Sequence, residues 1–332
     1  MTRRLYIHIG PRKTATSTIQ RTLAGHDGSV VLYPKAGLGL GGPGQAHGHH
    51  GLVFGFFGRN QDGNALMDSL AAECNQTGRD IVLSAEILEK RDIGAFARAL
   101  LDRLDVAADV EILFACREHF SRTASLYNHR TRRKNSTEYR LPDQFLVECA
   151  EEVCYAPLVK NLQQTGFPIT ALNYHPASDW IERFLTHIGF TRENIPTIES
   201  EMTAFGPKML VLHLALKEIP SWERRRTLRK AFSGMTDARA SAEFIFGPGA
   251  AEAAELQFAA DRRFLMAEFG IELVPPRFDV QGKGLRINAG EFTDIAAVAE
   301  DFGADGQKIV EFASRFVHHG GAKANFDTEL RP

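Results

Sequence analysis

Leu5-Tyr6-Ile7-His8-Ile9-Gly10-Pro11-Arg12-Lys13-Thr14-Ala15-Thr16-Ser17-Thr18-Ile19-Gln20 decides the fold class of this chain. Leu5 to Ile9 is a short β-compatible run, Gly10-Pro11 punctuates it, and helical spacing begins at Ile19 and Leu23. The stretch reads as strand, turn, helix. Such a turn aims the first N–H groups of the helix at one point. An anion there gains those donors, the positive end of the helix dipole and the ammonium of Lys13. The plainer reading is a βα turn whose hydroxyls only cap the helix. Capping needs one hydroxyl, however, and Thr14, Thr16, Ser17 and Thr18 supply four.

Outward from this stretch, short strands are expected at Val30 to Leu32, Asp80 to Ser84, Val110 to Ala115 and Ile169 to Asn173. Helical spacing falls between them, near Ala65 to Cys74, Ile93 to Leu104, Ser121 to Arg133 and Asp143 to Gln163. Alternating strands and helices predict an α/β fold of three layers, a parallel sheet flanked by helices, with a P-loop-like phosphate-binding loop after its first strand. Sheets of this kind bind ligands outside the carboxyl ends of their strands. Gly10 to Thr18, Ser84-Ala85-Glu86 and Cys116-Arg117-Glu118 would meet on that edge. The glycine-rich segment Gly37 to Gly58, with His47, His49 and His50, reads as a long loop that Phe54, Phe56 and Phe57 pin at its end. From Trp222 the pattern is mostly helical, clearest over Glu252 to Phe269. The expected division is an α/β domain over 1–275 and a small, mostly helical C-terminal extension over 276–332.

Bulk properties narrow the function. With 39 Lys and Arg against 41 Asp and Glu, the net charge of −2 offers no global field for nucleic acid or a membrane surface. Cys74, Cys116, Cys149 and Cys154 have no metal-ligand spacing, so no metal is expected, and they suit a reducing compartment. No run approaches the ~20 apolar residues of a membrane span, so a cytoplasmic protein without a transmembrane segment is expected. Cationic residues are local. Arg117, Arg122, Arg130, Arg132, Arg133, Lys134 and Arg140 face only Glu118 and Glu138 in the same stretch, and Arg224 to Lys230 forms a second basic run. A solvated helix face is the plainer reading of Arg224 to Lys230, with an anion contact as the alternative, and for Arg130 to Lys134 both readings stay open. Arg117 differs because it stands at a strand exit, with Ser125 eight residues later on a returning helix, so the two can serve a second phosphate.

The loop His8 to Gln20, with Phe114-Ala115-Cys116-Arg117 and Ser125-Leu126-Tyr127, resembles the bacterial carbohydrate-type sulfotransferases over roughly residues 4 to 275. The resemblance implies 3′-phosphoadenosine 5′-phosphosulfate (PAPS) as cofactor and a carbohydrate or other small-molecule hydroxyl as acceptor. It implies that Gly10, Arg12, Lys13, Thr14, Ala15, Thr16, Ser17 and Thr18 hold the 5′-phosphosulfate, and that Arg117 and Ser125 hold the 3′-phosphate. Glu118 and His119 depart from the residues common after that arginine. Lys13 suits the leaving group. Glu86, just past a strand end, is the first candidate base, provided burial raises its pKa. His50, with His49, competes for that role, and a cap shared with Ser84 is the plainer reading of Glu86. Two rivals remain: a P-loop-type kinase, and a non-catalytic nucleotide-binding protein of the same fold. The kinase motif places Lys six residues after its first glycine, whereas Lys13 follows Gly10 by three.

Overall fold

Four short apolar runs pair in parallel as β1 (Arg3–His8), β2 (Ile81–Ser84), β3 (Ala108–Arg117) and β4 (Ile169–Tyr174), in the order β2-β1-β3-β4. This is a computed structural model describing residues 2–39, 47–58, 62–133, 136–175, 179–195, 205–235, 245–276 and 284–318. The helices in chain order are α1 (Thr16–Ala24), α2 (His50–Phe56), α3 (Gly63–Asn75), α4 (Ile93–Leu101), α5 (His119–Arg132), α6 (Pro142–Cys149) and α7 (Ala156–Gln163). They continue with α8 (Trp180–His187), α9 (Pro207–Ala215), α10 (Trp222–Phe232), α11 (Pro248–Phe269), α12 (Ala289–Ala299) and α13 (Gly303–Ser314).

The chain divides into two compact units that interleave along the sequence: residues 1–118, 154–201 and 261–273 in one, and 119–153, 202–260 and 274–332 in the other. The first unit is the α/β sheet. β1, β2 and β3 bury both faces over most of their length, as a covered parallel sheet requires, while β4 is half-buried. Tyr6, Val82, Leu113 and Ala115 pack with Ile19 and Leu23 of α1 and Trp180, Phe184 and Leu185 of α8. Leu5, Ile7, Leu83, Ile112 and Phe114 pack with residues of α3, α4 and α7. The central position of β1, with β2 on one side and β3 on the other, is a topological switch point, where such sheets open a crevice beyond their carboxyl ends. The turn after β1 lies there.

The second unit is helical in its described residues. Ile309 and Phe312 of α13 are buried, and α13 packs on α9 and α12, so the stretch after 275 shares a core with residues 207–215. The boundaries between the units fall after residues 118, 153, 201, 260 and 273. Three sequence expectations change. Val30 to Leu32 is a single bridge, Leu32 to Ile81, and not a strand. The helix expected over Asp143 to Gln163 breaks after Cys149, turns through Glu151–Val153 and restarts as α7 with Pro157 in its first turn, where a missing N–H costs nothing. The Gly37 to Gly58 loop contains α2, although residues 40–46 lie outside the described residues.

Candidate functional site

The turn after β1 is strained in a way that gathers donors. Lys13 has φ 72° and Ala15 φ 51°, left-handed conformations that side chains with a Cβ rarely adopt. Alternating left- and right-handed residues turn successive N–H groups inward, the geometry of an anion nest. Helix α1 follows at once. Its first intrahelical bond runs from Thr18 N to Ala15 O at 3.0 Å, so the amides of Thr16 and Ser17 precede the ladder.

The hydroxyls are not caps. Ala15 occupies the N-cap position without a side-chain bond, and Thr14 Oγ1 donates to Pro11 O at 2.6 Å. Thr16 is 1% exposed, and its Oγ1 is buried without a hydrogen-bond partner among the described residues. Gly10 is required beneath it, because a Cβ there would run into the Thr16 side chain.

Arg117, the last residue of β3, is clasped to this turn. Its Nη1 donates to Lys13 O at 3.0 Å, and its guanidinium lies 5.1 Å from the centre of the Tyr174 ring. Tyr155 fixes the Arg117 backbone from the other side, its Oη accepting from Arg117 N at 2.7 Å and donating to Arg117 O at 2.9 Å. Ser125 lies on α5, in the second unit, and is half-exposed.

Glu86 begins the 3-10 turn Glu86–Lys90 just beyond β2. Burial raises its pKa, while the charges of Lys13 and Arg12 pull it back down. Both cations of the turn therefore act on this carboxylate. The cap reading fails, because no side chain caps the 3-10 turn and Ser84 Oγ is engaged elsewhere, 2.8 Å from His8 Nδ1 and accepting from Gln20 Nε2 at 3.1 Å.

The histidine segment docks on the same strand end. His49 N donates to Ser84 O at 2.8 Å, Ser84 N donates to His49 Nδ1 at 3.1 Å, and the other ring nitrogen lies 2.8 Å from Pro34 O. A ring that accepts at Nδ1 is neutral with its proton on Nε2. Burial, the largest influence, lowers the His49 pKa to about 4. His49 is a strut. His50, the first residue of α2, is 1% exposed, has its pKa lowered by burial, and keeps a buried Nδ1 without a partner among the described residues. Helix α2 packs on the 3-10 turn of Glu86, so both candidate bases belong to one edge of the sheet.

The sequence reading missed the polar hub beneath the turn. His8, Ser84, Gln20 and His49 are all buried, and the Tyr33 ring packs edge-on against His49 at 4.5 Å. The available signal was a histidine and a serine ending two otherwise apolar strands at paired positions, His8 opposite Ser84.

No protein-family model and no curated protein matches the chain. Among solved structures, a sulfotransferase from Alicyclobacillus acidocaldarius is similar at 15% identity and a TM-score of 0.40, over 82% of this chain and 98% of that one. Among the described residues, no helix is long and apolar enough to cross a membrane.

Proposed function

We propose that the turn from Gly10 to Thr18 holds the 5′-phosphosulfate of PAPS and that the protein transfers a sulfuryl group to a hydroxyl of a carbohydrate or other small acceptor. The observation that carries this reading is the buried, unpartnered hydroxyl of Thr16 inside a turn strained at Lys13 and Ala15. A hydroxyl left unsatisfied and two left-handed residues each cost ~1–3 kcal/mol, a cost that a bound anion offsets. The residues present fit such a group. When bound, PAPS supplies the sulfuryl group.

The Lys13 ammonium would supply positive charge beside the leaving group, and the Thr16 and Ser17 amides would hold its phosphate side. Glu86 takes the acceptor proton at its carboxylate, which partial burial makes a stronger base, while His50 is the alternative at the same edge. Arg117 is proposed for the 3′-phosphate. Arg12 and Ala15 shape the loop.

Thermal denaturation with adenosine 3′,5′-bisphosphate, ADP and AMP tests the cofactor. A ligand at 100 times its Kd adds ~2.7 kcal/mol, which is several degrees in Tm. A shift with the 3′,5′-bisphosphate well above that with ADP supports the assignment; equal shifts return the site to a generic nucleotide fold. Acceptor-dependent release of the bisphosphate separates an enzyme from a non-catalytic binder.

A further inference from the structure

The buried polar hub joins the pieces of the proposed site. His8 ends β1 just before the phosphate turn, Ser84 ends β2 two residues before Glu86, and His49 immediately precedes His50. The sheet ladder fixes the two strand ends against each other, with His8 opposite Ser84 and Ala85 N donating to His8 O at 3.0 Å. Helix α1, whose first turn supplies the anion donors, is not part of that ladder. A side chain makes the link.

Gln20 is 3% exposed and lies one turn beyond Thr16 on the buried face of α1. Its Nε2 donates to Ser84 Oγ at 3.1 Å and to Ser84 O at 3.4 Å. Ser84 O also accepts from His49 N at 2.8 Å. The same carboxamide sits against the chain entering the histidine segment, where a Cβ on Gly48 would come within 2.8 Å of Nε2 and 2.9 Å of Oε1 and push the carboxamide aside. One amide group therefore touches the helix of the phosphate turn, the strand end leading to Glu86 and the backbone leading to His50. Core packing alone asks for an apolar residue here, since a buried carboxamide costs free energy unless its bonds are used. Spacing across this link has an electrostatic consequence. Lys13 and Arg12 act on the Glu86 charge, so the distance from Glu86 to the turn sets how strongly that carboxylate and an anion in the turn oppose each other.

We propose that Gln20 is a positioning residue that holds the Glu86 turn and the His50 segment at a fixed spacing from the N-terminus of α1. It touches no reacting atom. This role rests on the proposed reading of the turn as an anion site and deepens it, by naming what sets the spacing between the anion donors and the candidate bases.

A double-mutant cycle on the full chain tests it, with inorganic pyrophosphate as the probe and its Kd measured by calorimetry at pH 8. An ionised Glu86 opposes the anion, so Glu86→Gln should tighten pyrophosphate binding several-fold. Gln20→Met keeps the side-chain length without the amide, and in that background the gain from Glu86→Gln should shrink about threefold or more. A merely structural Gln20 changes both affinities by one factor and leaves the gain intact. Ser84→Ala removes the acceptor from the other side and should reduce the gain similarly, with no further loss when combined with Gln20→Met. With an acceptor present, Gln20→Met should lower kcat about tenfold or more while the KM for PAPS holds, because ~1 Å of misplacement can cost ~10²-fold. A gain unchanged in both variants overturns the positioning role and leaves sulfuryl transfer standing. A reduced gain in a protein that releases no bisphosphate with any acceptor overturns sulfuryl transfer and upholds the positioning role. Pyrophosphate that does not bind, or that Glu86→Gln does not tighten, overturns the proposal.

Discussion

At Thr16 stability and function pull in opposite directions. Its Oγ1 is buried with no partner among the described residues, so Thr16→Val removes an unsatisfied group at nearly constant shape. The expected result is a free protein stabilised by about 1 kcal/mol and a smaller Tm shift with adenosine 3′,5′-bisphosphate. Calorimetry with and without the nucleotide reads both. Ala15→Gly is expected to relieve the left-handed φ of 51° by about 1 kcal/mol while leaving the nest intact, so its nucleotide shift should match wild type. At Glu86, burial raises the pKa, and a base acts only when ionised. Turnover should therefore rise with pH through a value above the ordinary carboxylate range. Glu86→Gln should lower kcat and remove that acid limb, with nucleotide binding retained; an unchanged pH–rate profile moves the base to His50. The sequence named both residues from their place after a strand and in a histidine segment. It could not separate them, because their burial depends on α2 folding against the Glu86 turn.

Among the elements, α7 shows how a helix can depend on a distant residue. Its first amides, Tyr155 N and Ala156 N, donate to the two oxygens of Asp261 at 2.8 and 2.7 Å, across 106 and 105 positions. Asp261 is 4% exposed and lies on α11. Asp261→Ala should cost about 3 kcal/mol or more by leaving buried donors unpaired, measured as a fall in the urea midpoint. Since α7 also carries the turn in which Tyr155 holds the Arg117 backbone, the same variant should weaken nucleotide binding. Strands were easier to foresee than helix breaks: apolar runs between polar turns mark β1, β2 and β3 locally. The division of 143–163 into α6 and α7, and the presence of α2 in a glycine-rich stretch, follow from tertiary contacts. Gly37, at φ 71°, makes room for Leu52 of α2, which a Cβ would strike.

At the scale of the described residues, burial keeps several histidines neutral when folded: it lowers the pKa of His8 to about 3 and, as the chief influence, those of His49 and His213 to about 4, and it lowers that of His50 as well. An unfolded chain binds protons at these rings below pH ~6.5 while the folded chain does not, so stability is intact above that pH and falls as pH drops toward 4. Each ring contributes up to ~1.4 kcal/mol per pH unit in that window. Urea midpoints should decline between pH 7 and pH 5, and a flat profile would refute the neutral assignments. The sequence by itself determined the parallel α/β class, the order of strand, turn and helix at Gly10 to Gln20, and the cations at Lys13 and Arg117. Those are local properties, written in side-chain periodicity and turn chemistry. Only the tertiary structure decided that Ser84 is a hub for His8, Gln20 and His49, that Arg117 clasps the Lys13 carbonyl, and that Asp261 holds the first amides of α7. Such pairings depend on chain closure over long separations, and no local spacing encodes them.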